Sequence, residues 1–363
     1  MVTFKSIKNL SVNITEDEYR KMNAMHYSML SRFIEGGFES IDHLDDPLST
    51  PSLTFGKMVD LMISDRSAFN DVYAIIEDKD MPSDKTKEMM DYLADIYGNC
   101  YDKFADIPEE FIENSCQKIG YRKTYLPKTR YSSLDKYRQY YELINLARKT
   151  NKTLVTQSER RAAIACYNAL LDSKSTKDFF KEDLFEANRD LERVYQLKFV
   201  SDYERNGHKI TFKVMPDLLI VDHKAKTVRI IDLKTSSFKE YEFPWAFVKF
   251  NYQIQARLYY RVIRDVLSRD EYFKDFTFLP SQFVVINRDT LNPLIWTFDS
   301  FDKNGTLSMG KTSMRDPYDI AEELDTYLHM SADERIVPIG VSLEHSGNSI
   351  ENWFKKEVGD ADA

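Results

Sequence analysis

Between residues 193 and 234, three runs of β-branched and apolar residues follow one another at 193–200, 209–221 and 227–234. Side chains branched at Cβ are stiff at χ1 and pack well on a pleated surface, so each run predicts strand. Asn206-Gly207 separates the first two, a dipeptide suited to the positive φ angles of a two-residue hairpin turn. A polar stretch at 222–226 separates the second from the third. Neighbouring runs are therefore expected to be joined as hairpins. A sheet built here dictates where everything around it goes.

The flanking sequence reads as helix and strand in alternation. Pro244 falls in the first turn of a long helix over about 245–266, strands follow at 282–287 and 294–298, and Asp316-Pro317 caps a last amphipathic helix through Ile320, Leu324, Tyr327 and Leu328. Before the strands the chain is helical in pattern. Apolar residues at 55, 58, 59, 62 and 63 keep helical spacing, 84–100 and 135–148 follow, and Thr156-Gln157-Ser158-Glu159 forms a capping box that opens another helix. The expected fold class is α/β, a mixed central sheet flanked by helices with a large helical insertion. On this reading 1–64 lend helices to the core, 65–190 are the insertion, 191–345 the core and 346–363 an acidic tail.

The composition of the 363 residues, 42% hydrophobic and 30% charged, is that of a globular protein. No stretch approaches 18 consecutive apolar residues, so no transmembrane helix is expected, and the first residues lack the apolar core of a signal peptide. Cys100, Cys116 and Cys166 are odd in number and form no CxxC pair, which argues against a disulfide framework, a zinc ribbon or an iron–sulfur cluster. They are expected as small buried hydrophobes in a reducing, cytoplasmic setting.

Three ionisable residues stand at the ends of the apolar runs: Asp217 in Met215-Pro216-Asp217-Leu218, and Asp232 and Lys234 in Ile231-Asp232-Leu233-Lys234. Strand side chains alternate, so Asp232 and Lys234 share one face while Leu233 faces the core. A hairpin could set Asp217 beside Asp232, and two carboxylates there, with the Leu233 carbonyl, make a hard-oxygen site for one or two Mg²⁺ or Mn²⁺ ions. Lys234 beside them could orient a water or stabilise charge on a phosphate. On the next helix Tyr252, Gln255 and Tyr259 share a stripe, with Ile254, Leu258 and Val262 on an opposing apolar one. The polar stripe is thus free to face the carboxylates or a phosphate backbone.

Asp217, then Asp232-Leu233-Lys234-Thr235, then Gln255-Ala256-Arg257-Leu258-Tyr259, in this order, resemble the PD-(D/E)XK nucleases, in particular their RecB/RecE-like exonuclease branch. Pro216-Asp217 supplies the literal PD, and 190–300 carry most of the resemblance. More weakly, His26–Phe33 resembles the family's opening helix and Leu53-Thr54-Phe55-Gly56 the entry to its first motif helix. The resemblance implies a restriction-endonuclease-like core and a cation-dependent exonuclease acting on duplex DNA ends in phage-type recombination. It further implies a homo-oligomer and a recombination partner protein, in a bacterial cell or a phage-infected host. Asp217, Asp232, Lys234, Gln255 and Tyr259 would be catalytic; Asp60, Asp217, Asp232 and Leu233 would hold metal. The branch usually has His where this chain has Asp60, an acid that hardens the site toward Mg²⁺ or Mn²⁺ and equally leaves open a weakened or idle site. A site- or structure-specific endonuclease on the same core is the third reading.

Two further features bear on ligands. Gly305–Thr312 spells GxxxxGK[ST], but a P-loop needs a strand before it and a helix starting at the lysine, and Pro317 would break that helix, so no ATP binding is expected. The net charge of −9 hides a basic stretch: 117–161 hold 12 Lys and Arg against three acids, with tyrosines 121, 125, 131, 137, 140 and 141 interleaved. Cations for phosphates and rings for bases predict a nucleic-acid path. Arg122, Lys123, Tyr125, Lys128, Arg130 and Tyr131, around a loop at Pro127, are the expected contacts, with Tyr252 nearer the site.

Overall fold

In the computed structural model, residues 4–46, 50–180, 190–236, 238–310 and 312–330 are described. The expected acidic tail, 346–363, lies outside them, as does Lys311. The helices of the first half are α1 (Glu16–Lys21), α2 (Tyr27–Gly36), α3 (Pro51–Ser64), α4 (Phe69–Val72), α5 (Asp84–Tyr97), α6 (Glu109–Ile119), α7 (Pro127–Asp135), α8 (Arg138–Lys149), α9 (Gln157–Asp172) and α10 (Lys177–Phe180). Two short strands, β1 (Tyr73–Ile76) and β2 (Thr153–Thr156), pair in parallel among them. The capping box forms as expected: the Glu159 amide donates to Thr156 Oγ1, and the Thr156 amide donates back to the Glu159 carboxylate. The second half holds β3 (Leu191–Tyr195), β4 (Phe199–Arg205), β5 (His208–Val214), β6 (Leu218–Asp222), β7 (Thr227–Ser236), α11 (Phe243–Lys249), α12 (Tyr252–Ser268), β8 (Thr277–Phe278), β9 (Ser281–Asn287), β10 (Leu294–Phe298), β11 (Leu307–Met309), β12 (Thr312–Met314) and α13 (Pro317–Leu328).

The central sheet is mixed, in the order β10-β9-β7-β6-β3 with β8 beside β7. β7 runs parallel to β9 and antiparallel to β6, because the helical crossover α11–α12 separates β7 from β9 while a tight turn joins β6 to β7. Alternation sends Val194, Leu219, Val221, Ile230, Phe283 and Val285 into one core with α2, α11, α12 and α13. It sends Leu218, Ile231, Leu233, Val284 and Ile286 into a second core with α3 and α9. Helices thus cover both faces. The helical unit of 76–141 has a third core of its own, built on Met89, Leu93, Phe104, Tyr140 and Tyr141.

Two of the expected strands are each split. Residues 193–200 divide into β3 and β4, and 209–221 into β5 and β6, so β4 and β5 leave the main sheet as a separate hairpin. Gln196 takes a positive φ of 50°, and Pro216 has no amide to continue the ladder. The two breaks lie side by side, the Gln196 amide donating to the Asp217 carbonyl at 3.2 Å. Asn206-Gly207 turns this hairpin with φ of 53° and 83°, as expected. The long helix is also divided, since Asn251 at φ 53° ends α11 and lets α12 start afresh. Cys116 and Cys166 are buried, but Cys100 is exposed, contrary to expectation. Gly305–Thr312 contributes to the hairpin β11–β12 in place of the strand–loop–helix of a phosphate loop. Among the described residues, no helix is long and apolar enough to cross a membrane.

Candidate active site

The split between β5 and β6 creates a notch. β6 pairs with β7 only from Leu218 opposite Ile231, whereas β7 continues to Ser236 with β9 on its other side. The edge of β7 from Asp232 onward is therefore open, and Asp217 stands at its mouth. One Asp217 oxygen, Oδ2, accepts the Leu233 amide at 2.8 Å and so replaces the missing strand partner.

Asp232 and Lys234 project to the α12 side of the sheet. Lys234 Nζ lies 2.5 Å from Asp232 Oδ2. Gln255 joins both: its Nε2 donates to Asp232 Oδ1 at 2.5 Å and to the Tyr259 hydroxyl at 3.2 Å, and its Oε1 accepts from Lys234 at 3.1 Å. Tyr252 turns its ring over the ammonium, 4.5 Å away. The expected polar stripe of α12 thus meets the expected pair of β7, while Ile254, Leu258 and Val262 are fully buried in the core.

Asp60 arrives from α3, on the other side of the sheet. It borders the same small cavity as Asp217 and Leu233. α3 comes close because Gly56 has no side chain: a Cβ there would stand 3.1 Å from Thr235 Oγ1 of β7. Tyr27 of α2 is a neighbour the sequence did not single out. Its hydroxyl donates to the Phe250 carbonyl at 2.5 Å, and the charges of Lys234 and Asp232 act on it. It lies within the segment that resembles the family's opening helix, but nothing in its spacing marked the ring.

No protein-family model and no curated protein sequence matches this chain.

Electrostatically the notch is crowded with carboxyl groups. Burial pushes the Asp60 carboxyl up to about 7, the charge of Asp232 pushes the same way, and Lys234 opposes both. Asp217 is raised well above the usual carboxylate range by burial, then by Asp232 and Asp60, against Lys234 and the Leu233 amide. Burial works against the charge on Lys234, but the pull of Asp232, Tyr252, Asp217 and Tyr27 wins and holds it protonated. Three carboxyls thus converge on one ammonium, and two of them are held toward the protonated form for want of a second positive charge. Asp232 Oδ2 is moreover buried without accepting a hydrogen bond, since Lys234 lies beside it but off the line of one. An all-oxygen donor set whose carboxyls would give up protons to a positive charge fits a hard divalent cation. The carboxyls do not close into a ready cage: among the described residues no group of three or more His, Cys, Asp or Glu stands as an assembled metal site.

A pH prediction follows. Folding raises the Asp60 carboxyl, so between about pH 4 and about pH 7 the folded chain binds more protons than the unfolded one, and stability falls as pH rises. Asp60→Asn removes that loss. In EDTA the variant should melt a few degrees above wild type at about pH 8, and the gain should vanish toward about pH 4. Thermal melts across that range check it.

The basic segment is less free than its count suggests. Arg148 pairs with Asp95 at 3.0 Å, and Lys149 with Asp102, acids that lie outside 117–161. Arg130 is corrected outright: it is buried, ion-paired to Glu113, and donates to the carbonyls of Arg122 and Lys123. Tyr121, Tyr140 and Tyr141 are core residues, and the half-buried Tyr131 packs against Phe104. Pro127 opens α7 rather than lying in a loop. Arg122, Lys123, Tyr125 and Lys128 remain exposed, with the Arg122 guanidinium 5.4 Å from the rings of Tyr121 and Tyr125.

Proposed function

We propose that this chain is a Mg²⁺- or Mn²⁺-dependent DNA exonuclease of the PD-(D/E)XK type, on a restriction-endonuclease-like core. The observation that carries the reading is the meeting of Asp60, Asp217, Asp232 and Lys234 at the notch in the sheet, with Gln255 and Tyr259 bonded onto them. Asp60, Asp217 and Asp232 would hold the cation, which when bound supplies charge neutralisation at phosphate and a more acidic water. The chain's own groups do the positioning. Lys234 is a fixed ammonium that can donate to a water or to a phosphate oxygen. Gln255 locks Asp232 and Lys234 in one geometry by bonding to both. Tyr259 stays protonated, because burial and then the charges of Asp232 and Asp217 raise its phenol well above the ordinary value, so it serves as donor rather than base.

The same reading extends to duplex ends, phage-type recombination, a homo-oligomer and a recombination partner protein. Incubation with Mg²⁺ and a mixture of linear and closed-circular duplex DNA tests it. The expected result is progressive loss of the linear species with the circle intact; nicking of the circle would instead assign an endonuclease. A second reading, a DNA-binding member without catalysis, is favoured by one observation: the carboxyls do not close into an assembled metal site among the described residues. Calorimetric titration with Mn²⁺ separates the two, since the nuclease binds the ion and the idle member does not.

A further inference from the structure

Beyond the notch, the segment that follows β7 exposes an unusual amount of aromatic surface. Trp245 is 80% exposed, and Phe238, Tyr241 and Phe250 are exposed as well. Four exposed rings within thirteen residues of chain are more than the single apolar side chains an ordinary surface scatters. The rings are interleaved with lysines: Lys249 Nζ lies 5.4 Å from the Phe250 ring and 5.8 Å from Phe238, and Lys239 Nζ lies 5.7 Å from Tyr241.

The backbone that carries them is pinned. Buried Glu240 accepts from the amides of Asn287 and Asn292 and from the Thr290 hydroxyl. Asn287 Nδ2 donates to the Phe238 carbonyl at 3.1 Å, Trp296 Nε1 to the Glu240 carbonyl at 2.9 Å, and Tyr27 to the Phe250 carbonyl. The rings therefore stand on a rigid base rather than on a loose loop. They also connect inward: Phe250 lies 5.7 Å from the ring of Tyr252, and Tyr252 lies 4.5 Å from Lys234 Nζ.

We propose that Phe238, Tyr241, Trp245 and Phe250, with Lys239 and Lys249, form a stacking track for single-stranded DNA that leads to the site at Lys234. The proposal rests on the nuclease reading for the role of that site. Rings can stack only on bases that are unpaired, because a duplex offers base edges and phosphates but no free base faces. Charge complementarity agrees: Lys239 and Lys249 stand beside the exposed rings, where a phosphate backbone would meet them, while Glu240 is buried and the Glu242 carboxylate is engaged by the Lys239 amide. A track of this kind would hold an end frayed from its partner strand beside the notch.

Fluorescence anisotropy with labelled oligo-dT, on the full chain in EDTA, tests the track without any cleavage. Trp245→Ala should weaken binding about 5- to 100-fold, Phe238→Ala/Trp245→Ala should weaken it further, and Trp245→Phe should keep most of the affinity. Because the rings are exposed, the variants should melt like wild type. Against an abasic strand of equal length, wild type and variants should bind alike. The proposal is overturned if the double variant binds oligo-dT as tightly as wild type. It is overturned equally if the loss is the same on the abasic strand, or if the double variant binds DNA normally and loses only self-association in sedimentation. Digestion of linear duplex is read separately. Stacking without cleavage by wild type would remove the nuclease reading alone; cleavage with unaltered binding by the double variant would remove the track alone.

Discussion

On the proposed nuclease reading, Lys234→Ala is expected to lower Mg²⁺-dependent release of nucleotides from linear duplex DNA by about 10²- to 10⁴-fold, the range for loss of a positioned proton donor or charge stabiliser. Lys234 Nζ lies 2.5 Å from Asp232 and donates to Gln255, and among the described residues it is the cation whose charge acts on Asp60 and Asp217. The same substitution leaves Asp60, Asp217 and Asp232 without the ammonium that offsets them. In EDTA the variant should therefore melt below wild type, and a divalent cation should restore the melting temperature without restoring turnover. Turnover and melting with and without Mg²⁺ check both halves. A variant that melts low but cleaves at the wild-type rate would make Lys234 a structural residue only.

The largest effect on stability is expected from Arg257→Ala. Arg257 has no solvent exposure, and its guanidinium donates to the carbonyls of Lys303, Gly305 and Arg315, to Gln253 and to Asp316. Asp316 in turn caps α13 by accepting the Tyr318 amide, and pairs with Arg261. Truncation takes the guanidinium from the Gly305 carbonyl, leaves the Lys303 and Arg315 carbonyls to Arg261 and Gln253 alone, and removes one of the two cations on the buried Asp316. Breaking a buried pair in this way costs about 3–5 kcal/mol. For a chain of this size that is a fall in Tm of about 4–7 °C. Lys cannot reproduce the planar fork, so Arg257→Lys should recover little of the loss. Denaturant unfolding of the variants beside wild type measures it. Arg257 lies two residues from Gln255, so the network ties α12 to 303–305 and 315–316 close to the residue that bonds Asp232.

Local physics was legible in the sequence wherever neighbours in the chain decide the outcome. The turn at Asn206-Gly207, the capping box at Thr156, and the shared face of Asp232 and Lys234 all depend on residues within a few positions. So does the division of α12 between Ile254, Leu258 and Val262 on one side and Gln255 and Tyr259 on the other. The rest depended on partners far along the chain. Composition runs unbroken through 193–200, and only the meeting of Gln196 with Asp217 across the sheet shows why β4 and β5 leave it. The excess of cations in 117–161 is a count along the chain, whereas Asp95, Asp102 and Glu113 compensate it in space. Arg257 looked like one residue inside a motif, and four of its five partners become visible only when 303–305 and 315–316 fold back over α12. The mixed central sheet flanked by helices matches the expected fold class, and β1–β2 adds a strand pair to a region read as helical.

On the proposed reading, the carboxylates at the notch make this chain a cation-dependent phosphodiesterase. A time course of linear duplex DNA digestion in Mg²⁺, with wild type beside Asp232→Ala at equal concentration, tests it most directly. Progressive degradation by wild type, abolished by EDTA and absent in Asp232→Ala, is the predicted result. Degradation at the same rate by Asp232→Ala, or none by wild type under any divalent cation, would contradict it.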